Sequence, residues 1–180
     1  MSYKPFNFVQ PPVDVLSDVQ AAIEFEHAKV HSGQRFILTG VQVVSTAIYK
    51  WGITTPAAPV QLHTDFIMDA GSEARIAIIE APATYSGGTA WPAYNMNRPS
   101  ATVPPFTALR GVTASGGTTI FEHRSGDTAG GGAAHAGSEV GGRYEFILLP
   151  ATVYVFETET YSASIPVSLD LTLYIGGPLA

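Results

Sequence analysis

Five histidines, at positions 27, 31, 63, 123 and 135, are the side chains of this sequence best suited to hold a metal. His27 and His31 are four apart, a spacing that puts two imidazoles on one face of a helix. The residues around them read instead as a strand, Ile23–Val30, followed by a turn at Ser32-Gly33. No HExxH pattern is present, and no paired acidic ligand stands at a useful spacing. The histidines are therefore read as hydrogen-bonded or exposed residues, and no metal is expected. Nucleophilic chemistry has as little support, because no GxSxG elbow presents a serine. Gly130-Gly131-Gly132 lacks the Lys-Ser/Thr and helix that a phosphate loop requires, and reads as a flexible loop. Glu80, Glu122, Glu145 and Asp170 could supply an acid/base pair, but any β-protein with fifteen acidic residues offers such pairs. Neither catalysis nor a cofactor is expected.

One segment has the residue types of a ligand site. Tyr85, Trp91 and Tyr94, beside Asn95, Asn97 and Arg98, could stack on a sugar ring and hydrogen-bond its hydroxyls. The same aromatics could instead pin a proline-rich loop to the domain or to a neighbouring subunit, where Trp and Tyr are enriched. Packing is the favoured reading, with glycan stacking as its competitor.

These residues must be carried by strands. From Ile165 to Ile175 every second residue is aliphatic, a period of two that predicts an antiparallel strand with one buried face. Arg143–Leu149 and Thr152–Thr160, split by Pro150-Ala151, read as two more strands, so the chain is expected to end in an antiparallel meander. Further strands are expected at Arg35–Thr46, Tyr49–Thr54, Val60–Asp69, Glu73–Ala81 and Thr118–Arg124. In Val60–Asp69, Leu62, Thr64, Phe66 and Met68 share one side. Eight or nine strands with no long helix predict an all-β, antiparallel β-sandwich, jelly-roll-like, over residues 23–180. Residues 1–22, with Pro5, Pro11 and Pro12, read as an extended N-terminal arm on which Phe6 and Phe8 are apolar anchors. Two long loops are expected, one at Pro82–Pro105 and a Gly/Ala-rich one at Gly126–Gly142.

Composition narrows the partners. Nine basic against fifteen acidic residues give a net charge of −6, which argues against nucleic acid. The opening residues lack the basic and apolar regions of a signal peptide, and no run is long enough to span a bilayer, so no membrane partner is expected. Without cysteine, disulfides and thiolate metal sites are excluded. Only 13% of residues are charged, about half the usual share of roughly 25%. For a surface so poor in charge, cover by other protein chains is the favoured reading and an ordinary monomer surface of Gly, Thr, Ser and Ala its alternative; the arm and the two loops are the expected contact surfaces.

Three segments, in order, resemble a diverse family of tailed-bacteriophage capsid decoration (cement, or head-stabilising) proteins. They are His27-Ala-Lys-Val-His31-Ser-Gly33, Asn95-Met-Asn97-Arg98, and Arg143-Tyr-Glu-Phe-Ile-Leu-Leu-Pro-Ala-Thr-Val-Tyr154. The resemblance spans about residues 25 to 176. It departs from the family at Ser32, where an acidic residue is usual, at Glu157-Thr-Glu-Thr160, where an Asn-rich stretch is usual, and in the proline-laden arm. It implies a structural virion protein on the capsid exterior, made in the host cytoplasm. Its implied partners are the major capsid protein and itself, as a homo-oligomer with a trimer favoured over a dimer. The alternative is a receptor- or glycan-binding sandwich module of a tail or spike. Phe6, Phe8, Tyr85, Trp91, Tyr94, Asn95, Asn97 and Arg98 are the candidate contact residues for either role.

Overall fold

A computed structural model describes residues 27–44, 47–125, 138–162 and 164–176, with side chains at all of them except 125 and 138–144. The alternation at the end of the sequence does form one strand, β11 (Ile165–Ile175), whose Val167, Leu169, Leu171 and Leu173 are fully buried. The other strands are β1 (Arg35–Val44), β2 (Ile48–Thr54), β3 (Leu62–Ala70), β4 (Ala74–Glu80), β5 (Thr84–Ala90), β6 (Tyr94–Asn95), β7 (Thr107–Ser115), β8 (Thr118–Ser125), β9 (Ser138–Leu148) and β10 (Val153–Thr160). They form two antiparallel sheets, ordered β6-β1-β11-β3-β9 and β5-β7-β2-β10-β4-β8. With β5, β6 and β7 set aside, the eight remaining strands, renumbered by chain order, lie 1-8-3-6 in one sheet and 2-7-4-5 in the other. This is the connectivity of a jelly roll.

The core between the sheets follows the period-two pattern from both sides. Leu38, Phe66, Met68 and Leu169 come from one sheet, and Trp51, Ile53, Ile76, Ile78, Tyr154 and Phe156 from the other. Phe66 meets Phe121, Phe146 and Phe156 at ring-centroid distances of 5.3, 6.2 and 5.9 Å, aromatic contacts that add to simple area burial.

Four expectations are corrected. The closing strands are not a meander: β9 and β11 both flank β3 in one sheet, whereas β10 lies between β2 and β4 in the other. The turn at Pro150-Ala151 carries the chain across the sandwich, not back along one sheet. Residues 27–31 are a helical turn instead of the end of a strand Ile23–Val30. Pro82–Pro105 is not all loop, because its proline-free stretch between Pro82 and Pro92 forms β5, and Tyr94–Asn95 pairs with β1 as β6. The last strand before the crossing begins at Ser138, where a glycine-rich loop to Gly142 was expected; its backbone pairs with β3 across a bulge between Asp65 and Ile67. The arm 1–22 with Phe6 and Phe8, together with residues 126–137 of the second expected loop, lies outside the described residues.

The insertion between β4 and β8 adds a third layer. Strand β7 pairs with β2 from Thr107 to Arg110 and then continues with β5 alone. Val155, Ala77 and Glu157 alternate with core-facing residues and point away from the sandwich, yet their exposures are 0%, 0% and 5%. What covers this outer face is the β5–β7 flap. The Tyr85 ring lies over Gly52, where an added Cβ would fall 2.4 Å from its hydroxyl, and Lys50 Nζ donates to the Ala114 carbonyl at 2.6 Å. Val112 and Ala114 are buried on the flap side.

Candidate interaction face

Two of the three segments that carry the family resemblance meet in space and build one clamp. The helical turn over residues 27–31 ends at Gly33, whose φ of +69° is a conformation glycine adopts without penalty. Gln34 N–H donates to Lys29 O at 3.0 Å and Gly33 N–H to Val30 O at 2.9 Å, the paired bonds of a Schellman cap. Two carbonyls beyond this cap are taken by the asparagines. Asn97 Nδ2 donates to His31 O and Asn95 Nδ2 to Gly33 O, both at 2.9 Å. Asn95 Nδ2 also reaches Thr102 O at 3.1 Å, and its Oδ1 accepts Asn97 N–H at 2.9 Å. A Cβ on Gly33 would fall 2.3 Å from Ser100 Oγ, so any other residue must displace that hydroxyl as well as hold a positive φ. Asn95 and Asn97 are thus bound to their own chain, and their amides are spent on closing it.

The third segment is a lock on the crossing turn. Tyr154, 1% exposed, donates its hydroxyl to Glu80 Oε2 at 2.7 Å and accepts Leu149 N–H at 2.8 Å. Burial first, and then Glu80, push its phenol well above the ordinary tyrosine range. The buried Thr55 hydroxyl donates toward Leu149 O (2.7 Å) and Thr152 O (3.0 Å) and accepts Thr152 N–H at 2.8 Å, tying the turn to the end of β2.

The aromatics of the expected ligand site do not form one platform. Trp91 is 3% exposed, its indole N–H donates to Thr39 O at 2.9 Å, and its ring meets Trp51 at 6.3 Å. It closes the sandwich edge between β1 and β7, so its face is not offered to a sugar. Tyr85 is half-buried under the flap; burial raises its phenol above the usual value, with Thr54 opposing. Tyr94 is 50% exposed, and the Arg98 guanidinium stands 5.4 Å from its ring centroid.

Two buried or half-buried charge clusters were not foreseen. Glu157 accepts from Arg75 Nη1 at 2.7 Å and stands 2.9 Å from Lys50 Nζ beneath the flap. Its signal in the sequence is a lone acid among the apolar residues of Val153–Thr158. Arg75 is raised further above its already high value, chiefly by Glu122. On the other sheet, Tyr174 donates to Glu145 Oε1, and His63 Nδ1 is 2.6 Å from the same oxygen. Tyr174 first, then His63, hold the Glu145 carboxyl below the usual range. These bonds tie β3, β9 and β11 together. Glu80, Glu122 and Glu145 are therefore each engaged by a structural partner, and Asp170 is exposed on β11.

The outer face of β6-β1-β11-β3-β9 has no covering layer among the described residues. Val41 and Val43 project from β1 at 73% and 59% exposure, cross-strand from Ser168 and Pro166 of β11. A shallow hollow of about 370 Å³ lies between Val41, Asp69, Gly71, Pro166 and Ser168. Such a surface can bind another protein by shape and apolar contact, with only Asp69 supplying charge at the hollow.

No protein-family model, no curated protein and no solved structure matches this chain.

Proposed function

We propose that the chain is a structural virion protein that binds the outer surface of a tailed-phage capsid and stabilises it as a cement or decoration protein. The observation that carries the proposal is the sidedness of the sandwich. One outer face is covered by the chain's own flap, whereas the other presents Val41 and Val43 beside an open hollow. A sheet face of this kind docks on protein, and many weak copies on a lattice bind firmly through multivalency. The low charge and the ordered motifs support the same reading. The partners are the major capsid protein and sister copies, with a trimer favoured, and the proposal includes no catalysis. Cryo-electron microscopy of the parent particle is the test. Density for the chain on the head shell is expected, lost or weakened with Val41→Glu and Val43→Glu together; a particle whose head shell lacks the chain overturns the proposal.

The alternative, a glycan-binding module of a tail or spike, keeps Tyr94 as its exposed ring with Arg98 beside it. Glycan-array binding that disappears with Tyr94→Ala would favour it over the cement role.

A further inference from the structure

His27 and His31 do share one face of the helical turn. Their Nε2 atoms are 2.9 Å apart, the ring centroids are 4.4 Å apart and the ring planes stand at 75°. Both side chains are exposed. The turn that holds them is fixed at its C-terminal end by the Schellman bonds at Gly33 and by Asn97 on His31 O. Two imidazole nitrogens this close share either one proton or one metal ion.

Among divalent metals that imidazole suits, affinity at such a pair is highest for Cu(II), and the separation is compatible with its geometry. With metal–nitrogen bonds of about 2.0–2.1 Å, two ligands at a right angle place their nitrogens roughly 2.8–3.0 Å apart, whereas tetrahedral ligands stand about 3.3–3.4 Å apart. Right-angled nitrogen pairs suit the tetragonal ions Cu(II) and Ni(II) more than tetrahedral Zn(II). We propose that His27 and His31 form a bidentate chelate for a tetragonal divalent transition metal, Cu(II) ahead of Ni(II), with water in the remaining positions. The metal replaces the proton that one Nε2 shares with the other. As that proton leaves Nε2 for solvent the same ring takes one up from solvent at Nδ1, so both neutral rings then carry their hydrogen on Nδ1. Protons compete with the metal for the two Nε2 lone pairs, so binding weakens as pH falls. The site is independent of the capsid role proposed above, since it rests on neither Val41 nor Val43.

The test is titration of the full chain with Cu(II) in a non-coordinating buffer, followed by calorimetry and electron paramagnetic resonance. The expected result is a site with two imidazole nitrogens in the Cu(II) spectrum. Separate His27→Ala and His31→Ala variants should each weaken it by on the order of tenfold or more, at least what an outer-shell partner of a metal is worth. Both positions are exposed, and circular dichroism checks that the variants fold. Cu(II) should also raise the thermal midpoint of the parent and of a His123→Ala control, but not of the two variants. Equal affinity in parent, His27→Ala and His31→Ala, meaning an adventitious ion only, overturns the proposal, as does a spectrum with a single imidazole nitrogen.

Discussion

Replacing Asn95 by aspartate tests whether the asparagine clamp is what closes the front of the sandwich. Asn95 makes three hydrogen bonds: Nδ2 to Gly33 O at 2.9 Å and to Thr102 O at 3.1 Å, and Oδ1 from Asn97 N–H at 2.9 Å. Each is worth about 0.5–1.5 kcal/mol net. The side chain is half-buried, so water can recover part of the loss, and Asn95→Ala should cost about 2 kcal/mol. For a domain of this size that is a drop of roughly 4–8 °C in Tm. Asn95→Asp keeps the shape and the acceptor for Asn97, but it sets a carboxylate oxygen against two carbonyl oxygens, a further cost of about 1–3 kcal/mol. Those carbonyls raise the folded-state pKa of the new carboxyl above its unfolded value of about 3.9. A raised folded pKa favours the folded state at low pH and loses that stability as pH rises through it. The deficit against the parent should therefore be largest at neutral pH and narrow as the solution is acidified. Urea unfolding followed by the fluorescence of the two buried tryptophans, Trp51 and Trp91, reads this directly. An Asn95→Asp protein that unfolds with the parent at neutral pH, or a deficit that stays constant with pH, would refute the reasoning.

Three further outcomes follow from other parts of the fold. Glu157→Gln removes the charge between Lys50 and Arg75, whose side chains are 17% and 23% exposed; this partial solvation places the loss at about 2–3 kcal/mol, below the usual figure for breaking a fully buried pair. Thermal denaturation at low and high salt should give the same loss, since pairs this buried are weakly screened. Tyr174→Phe removes the first cause of the depressed Glu145 carboxyl; the parent's advantage should be full at neutral pH, start to shrink near the ordinary glutamate value of about 4.3 and be lost as pH falls through the lower folded-state value, measured by acid titration of stability. Trp91→Phe leaves Thr39 O without its donor and should cost about 1–3 kcal/mol in urea unfolding, while Trp91→Ala should cost about 3–5 kcal/mol.

Strands with one buried face were legible because alternation is a direct image of burial. The bounds of β11 were read to the residue, and Leu62, Thr64, Phe66 and Met68 all turned out buried on one face of β3. Strand β5, Thr-Tyr-Ser-Gly-Gly-Thr-Ala, was not legible: apart from Tyr85 all its residues are exposed, so no apolar period marks it. Strand β7 hid for a similar reason, with its alternation interrupted at Arg110-Gly111. The meander was misread because a pattern of faces says nothing about which sheet a strand joins, and the short Pro150-Ala151 turn serves a crossing as well as a hairpin. At the candidate site, the aromatic types were visible but not their burial. Trp91 looks the same in sequence whether it stacks on a ligand or fills a sandwich edge. The clamp could have been suspected from two asparagines spaced by one residue and a lone Gly33 after a helix-competent run, since asparagine amides and a left-handed glycine are what a helix end needs.

The order in which the strands leave the ribosome differs from their order in space. Among the described strands β11 comes latest in the chain, yet it sits between β1 and β3, and β10 sits between β2 and β4. Until β10 and β11 emerge, their sheets each lack an interior member and expose two unpaired edges to the crowded cell. Pairing of Arg35 with Tyr174 joins nearly the two ends of the domain, which makes folding slow and its intermediates adhesive. Truncation by even the length of β11 would therefore leave a chain with open edges on both β1 and β3. Such a product should accumulate as aggregate, not as a smaller soluble domain.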